Sequence, residues 1–177
     1  MSNIPVSRAL SLSHGRNAGW LLVLCGVVLL LAMAAPQARA EAEARVVYHA
    51  DFADPRRFSA MLTSINNMVN HYANNFIEYD VRIVFVAHGV RFVTDDKLSG
   101  TPFAEDKTLA EQRENLRGRL LALAEMHSVK LELCNITRSQ IGLAEDKLYG
   151  QVELIPSGVV RIAQLQQEEG FAYIKIE

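Results

Sequence analysis

Cysteine is scarce in this chain: two occur in 177 residues, Cys25 and Cys134. Acidic residues are missing from the first 40 positions, where Arg8, Arg16 and Arg39 supply the charge. No apolar run reaches the roughly 20 residues that a membrane-spanning helix needs. The run Leu21–Ala35 stops at Pro36, and Ala38-Arg39-Ala40 follows it. A basic start, a short apolar core and small residues before the cut are the parts of a secretory signal. Arg8 and Arg16 are not adjacent, so a twin-arginine route is not indicated, and Leu24 stands where lipidation of Cys25 would want a small residue. The expectation is a cleavable signal over 1–40 and one domain over 41–177. That domain is expected in the periplasm, without stable membrane association after cleavage.

The mature part also lacks positive charge. Its 15 basic residues face 20 acidic ones, a net charge of −5 (15 − 20). Nucleic-acid binding, which is dominated by phosphate neutralisation, is therefore not expected. With Cys25 removed, Cys134 has no partner for an internal disulfide. A lone thiol in an oxidising compartment points to a partner in another chain, a reactive thiol or a buried inert one. No internal repeat and no low-complexity tract interrupts residues 41–177.

What is present alternates between two periods. Residues 45–50 read as a strand, and Asp54-Pro55 then opens a helix by a good cap and a proline at the first helical position. Phe58, Met61, Leu62, Ile65, Met68, Val69, Tyr72 and Phe76 form its apolar stripe, which carries the helix to about Asn75. The β-branched run Val81–Ala87 suits a strand covered on both faces, as in parallel sheets. His88-Gly89 ends it, with the glycine free to take positive φ. A long polar connection over Val90–Asp106 follows, and a capping box of Thr108 and Glu111 starts a second helix to about Met126. Strands are predicted at Val129–Leu133, Val152–Ile155 and Phe171–Ile176. A weak helical stretch runs to about Ala144, and a helix over Val159–Glu169 stops at Gly170. This alternation specifies an α/β fold, a three-layer α/β/α sandwich with a mainly parallel five-stranded sheet.

Ligands of open α/β sheets bind beyond the C-terminal ends of the strands. His49, His88, Cys134 and Ser157 follow or close the first four strands and should rise toward that edge. Cys134 carries the best chemical case. An ordinary thiol is only about 3 % thiolate at neutral pH, and a helix start at Thr137 or the nearby Arg138 could raise that share. His88 is the candidate to hold the thiolate. A His49/His88/Cys134 metal site lacks any short-spacing ligand motif, so neither metal nor cofactor is expected. Ser157-Gly158 offers free N–H groups to an anion. Tyr149 and Tyr173 read as packing residues, and nothing places the Asn66-Asn67 pair.

Three segments together resemble the DsrE/DsrF-like family: Val-Arg-Ile-Val-Phe-Val-Ala-His-Gly, Val-Lys-Leu-Glu-Leu-Cys-Asn-Ile-Thr, and Pro-Ser-Gly-Val-Val-Arg-Ile-Ala-Gln-Leu-Gln with Gly-Phe-Ala-Tyr-Ile-Lys-Ile. The likeness runs over about residues 45–177. It implies a five-stranded parallel sandwich that commonly forms homo-oligomers. It also implies a cysteine after the third strand that carries sulfur as a persulfide between donor and acceptor proteins, and Cys134 matches that position. Those relay members are cytoplasmic whereas this chain looks exported, so their tRNA-modifying acceptors are not expected here. The reading is a periplasmic sulfur handler with Cys134 and His88 at its site, at most a sulfurtransferase-like carrier. The alternative is a non-enzymatic module that uses the same edge for a small ligand, a metal or assembly. An enzyme with Cys134 as nucleophile and His88 as base is a third reading, for which no triad spacing speaks.

Overall fold

The computed structural model describes residues 42–177. The expected signal segment and Cys25 lie outside them. Five strands, β1 (Ala44–Ala50), β2 (Tyr79–Phe85), β3 (Lys130–Cys134), β4 (Val152–Ile155) and β5 (Ala172–Ile174), form one sheet. Every pairing is parallel, in the order β4-β3-β2-β1-β5. Four helices connect them: α1 (Pro55–Asn74), α2 (Lys107–His127), the short α3 (Asn135–Gln140) and α4 (Gly158–Gln167). The expected class is what forms.

The order explains the layering. The steps β1 to β2 and β2 to β3 move the same way across the sheet, so right-handed crossovers put α1 and α2 on one face. The step from β4 to β5 reverses direction and places α4 on the other. Phe58, Met61, Leu62 and Ile65 of α1 and Leu116, Leu120 and Leu123 of α2 bury against Tyr48, Ile83, Phe85, Leu131 and Leu133. Each such side chain contributes about 1.5–3 kcal/mol by leaving water. On the second face, Ile162 and Leu165 of α4 cover Val47, Val84, Ile155 and Phe171.

One helix, about 10 Å wide, cannot cover five strands spaced about 4.8 Å apart. Charge occupies much of the remainder. Arg82 on β2 donates to Glu132 on β3 at 2.9 Å and to Asp80 at 2.7 and 3.1 Å. Arg161 of α4 bonds Glu132 at 3.2 Å and Glu169 at 2.8 Å. Burial alone would lower the pKa of Arg82, but Asp80 and Glu132 outweigh it and the net shift is upward.

Three local expectations are corrected. The N-cap of α2 is Asp106, whose carboxylate accepts the N–H of Leu109 at 2.9 Å, so Thr108 lies inside the helix. The aspartate wins because Arg91 also fixes it, at 2.6 Å, a tie between distant segments that no local motif reveals. Replacement of Asp106 by alanine is expected to cost about 1–2 kcal/mol, measured by urea unfolding. The positive φ lies at Ala87 (48°) and not at Gly89. Gly89 is required for space: a Cβ there would meet the Ala50 carbonyl oxygen at 2.0 Å. The connection read as simply polar begins with a 3-10 turn, Ala87–Phe92, and buries Val93, Thr94 and Leu98. Arg113 clamps it through Glu105 and the carbonyls of Arg91 and Thr94. Among the described residues, no helix is long and apolar enough to cross a membrane.

Candidate functional site

The strand order sets Ser157, Cys134, His88 and His49 in a row, at or just past the C-terminal ends of β4, β3, β2 and β1. They do not share one cluster. Leu131 and Leu133 face α1 and α2, so Cys134, at the alternate position, faces α4. Cys134 is the residue before the first turn of α3 and lies against the first residue of α4. A Cβ at Gly158 would stand 3.2 Å from the Cβ of Cys134, 2.5 Å from Cγ2 of Val86 and 3.3 Å from Cγ1 of Val84. Only a residue without a side chain brings the N-terminus of α4 this close.

The thiol is 4 % exposed and unpaired. Burial pushes its pKa up. The N–H groups of Gly158, Thr137 and Ile136, together with the Thr137 hydroxyl, outweigh that cost, and the net shift is downward. As a resting thiol Cys134 forms no side-chain cap bond to α3. The donors around Sγ therefore act as a field that favours negative charge and tightens when the proton leaves.

Thr137, 6 % exposed, has its hydroxyl oriented by the fold. Its Oγ1 accepts the N–H of Ala87 at 3.1 Å, which leaves the hydroxyl hydrogen for the sulfur. The left-handed backbone of Ala87, costly for a residue with a Cβ, aims that N–H. On the two flanking helices, Ile136 of α3 is 49 % exposed and Val159 of α4 61 %. A groove of about 560 Å³ between α4 and the edge of the sheet includes Arg82, Glu132, Ile155, Pro156, Ser157 and Val160. Its lining includes the Pro156-Ser157 turn that leads into Gly158, but not Cys134 itself.

The other expected site residues are placed differently. His88 packs edge-on against the Phe103 ring, centroids 5.1 Å apart, and its buried Nδ1 has no hydrogen-bond partner. No hydrogen bond joins it to Cys134 among the described residues. Arg138 turns to Asn135, the Leu143 carbonyl and Glu145, so it supplies no cation to the sulfur. Ser157 occupies the N-cap of α4 without a side-chain cap bond. His49 pairs instead with Tyr173, Nδ1 to hydroxyl at 3.0 Å. Tyr173 is 40 % exposed, not the packing residue its sequence context suggested. Tyr149 is buried, bonds Asp95 at 2.9 Å, and burial pushes its pKa up to about 12. Asn66 and Asn67 are exposed on α1. Among the described residues, no three His, Cys, Asp or Glu side chains are arranged to hold a metal ion.

Thr137 and Gly158 are the functional residues whose connection the sequence hid. Each was visible as a helix-start residue. Their convergence on one sulfur depends on β3 and β4 being neighbours, which only the strand order fixes.

A parallel α/β/α domain with a recessed thiol at the sheet's C-terminal edge, held between two helix starts, defines a class of strand-end cysteine proteins. The DsrE/DsrF-like family model matches residues 46–176, and the chain belongs to that family. The expected resemblance is thereby established, and with it a place among sulfur-relay-related proteins. A solved structure of the same fold is that of MTH1491 from Methanobacterium thermoautotrophicum, described as a protein of unknown function. The two chains are 24 % identical, the match covers 75 % of this chain and 99 % of that one, and the TM-score is 0.58. That likeness concerns the fold alone. No curated protein matches the chain.

Proposed function

We propose that this protein carries sulfane sulfur on Cys134 as a persulfide, in the periplasm after loss of residues 1–40, and passes it to an acceptor. The observation that carries the reading is the ring of donors around Sγ: three backbone N–H groups and one hydroxyl that favour a thiolate despite burial. In loading, the Cys134 thiolate attacks the outer sulfur of a donor persulfide, R–S–SH. Its electron pair forms the new S–S bond, the donor's S–S bond breaks, and R–S⁻ leaves. The same donors then stabilise Sγ as the leaving thiolate when the sulfur moves on. A thiol only 4 % exposed is screened from oxidants in solution, which suits stoichiometric carriage.

Mass spectrometry after exposure to polysulfide tests the proposal. The wild-type chain is expected to gain the mass of one sulfur atom on the Cys134 peptide, removable by dithiothreitol, and Cys134→Ser is expected to gain none. An unmodified Cys134, under conditions that load another persulfide carrier, would refute carriage. The remaining role would then be a binding or assembly module using the α4 groove.

A further inference from the structure

The edge where the strands begin, opposite Cys134, carries the two most exposed large apolar side chains among the described residues. Phe76, just before β2, is 95 % exposed, and Met126, in the last turn of α2 before β3, is 77 % exposed. Both line one cleft of about 430 Å³, together with Ala73, Ile77 and Tyr79.

The backbone of Phe76 is strained to be there. The Asn75 N–H closes α1 onto the carbonyls of His71 and Tyr72, and the Ile77 N–H returns to that of Tyr72 at 3.0 Å. Between them Phe76 takes the left-handed region, φ 56°. That place after a helix end ordinarily holds glycine, because a Cβ is disfavoured there. The phenylalanine gains no burial in exchange, since its ring stands almost wholly clear of the domain. Strain and an uncovered aromatic at one residue mark a contact surface.

Where the chain enters the fold points to what covers it. Ala44 opens β1 at this same edge, and its N–H bonds the carbonyl of Glu78, two residues past Phe76, at 3.0 Å. In sequence Ala44 follows Ala35, the end of the apolar run, by nine residues. Nine residues reach at most about 32 Å. Charge narrows the choice of lipid. Glu43 before β1, Glu78 before β2 and Glu125 beside Met126 are exposed acids of this edge. Lys130, at the start of β3, is held by Asp80 at 2.8 Å. Such an edge repels anionic headgroups and complements the outward cationic groups of zwitterionic ones.

We propose that Phe76 and Met126 insert into the surface of a zwitterionic bilayer while the Leu21–Ala35 run lies in it, so that the domain stands on this edge with Cys134 directed away from the lipid. Aromatic and thioether side chains suit the headgroup boundary. Seven residues of β2, at about 3.3 Å each, separate the two edges and leave the thiol on the aqueous side. After cleavage behind Ala40 the tether is gone, and two side chains alone give only a marginal, reversible hold. The inference does not depend on what Cys134 carries.

The test uses the full chain reconstituted through its apolar run in phosphatidylcholine vesicles. Trp20 is the one tryptophan of the sequence, so Trp20→Phe combined with Phe76→Trp, or with Val159→Trp near Cys134, leaves a single probe. Both positions are exposed enough to accept the larger ring. With brominated phosphatidylcholine as quencher, the probe at 76 is expected to lose most of its emission and the probe at 159 to keep it. Met126→Ser should lower the ratio of docked to undocked domain, read from the quenched fraction at 76, about tenfold. Added salt should leave the quenching unchanged, because the contact is apolar. Equal quenching of the two probes, or none at 76, would overturn the proposal. So would quenching that Met126→Ser does not alter, or that appears only with anionic lipid. Emission at 76 that shifts to the blue with protein concentration, insensitive to bromine, would overturn it too and assign the surface to a second copy of the chain.

Discussion

Arg82→Ala is expected to cost about 3–5 kcal/mol of folding free energy, the range for breaking a buried ion pair from one side. Glu132 is 2 % exposed, and without Arg82 it keeps Arg161 alone at 3.2 Å. Asp80 would retain only Lys130, at 2.8 Å. The loss has a pH signature. In the wild type, burial opposes ionisation of Asp80, but Arg82 and Lys130 prevail and its pKa is lowered. That contribution is present above about pH 4 and is lost as the pH falls through the lowered pKa. The gap between the two proteins, measured by urea unfolding, should therefore be wider at about pH 6 than at about pH 3. A double replacement, Arg82→Met with Glu132→Leu, should recover most of the loss, since an apolar pair leaves no charge unmatched. A single variant as stable as the wild type at pH 8 would show that the network contributes nothing.

That network marks where sequence reasoning stops. Arg82 was visible as the one charge in an otherwise apolar strand, and Glu132 as the polar member of an alternation. Their pairing depends on β2 and β3 being neighbours in a set register, Arg82 beside Lys130 and Val84 beside Glu132. Periodicity decided each element because local backbone preference and one-sided burial act within a dozen residues. Strands and helices therefore fell within a few residues of their places. Asp106 displaced Thr108 as the cap through its tie to Arg91, fifteen residues away in sequence.

The candidate site divides in the same way. Cys134 stood out as the sole thiol of the mature chain, and the helix start at Thr137 beside it was recognisable as an influence that favours the thiolate. His88 was adjacent to the correct edge but rotated away, because the backbone turns left-handed at Ala87 and sends the ring to Phe103. His49 and Tyr173 were 124 positions apart in the chain, and no spacing rule joins them. Helix starts and strand ends are legible locally. Which of them share an edge, and in what order, is decided by packing of the whole sheet.

Gly158 is where fold and chemistry depend on one another most closely. Gly158→Ala would place a methyl group 2.5 Å from Cγ2 of Val86, a half-buried branched side chain just past the end of β2. The first turn of α4 must then move outward, carrying its N–H away from Sγ. Overpacking of this kind costs about 1–3 kcal/mol, a loss readable in urea. The larger effect is on the thiol. Loss of one of the backbone donors is expected to raise the Cys134 pKa, since each hydrogen bond to the charged form favours it. Alkylation by iodoacetamide at neutral pH should slow by up to about tenfold, as the thiolate fraction falls. Thr137→Val removes a different donor and also strands the N–H of Ala87, so it should slow alkylation and destabilise together. Thr137→Ser keeps the hydroxyl and should retain the rate. An alkylation pH profile of Gly158→Ala that overlays the wild type would show that the approach of α4 serves packing alone, with the turn of α3 sufficient to activate the sulfur.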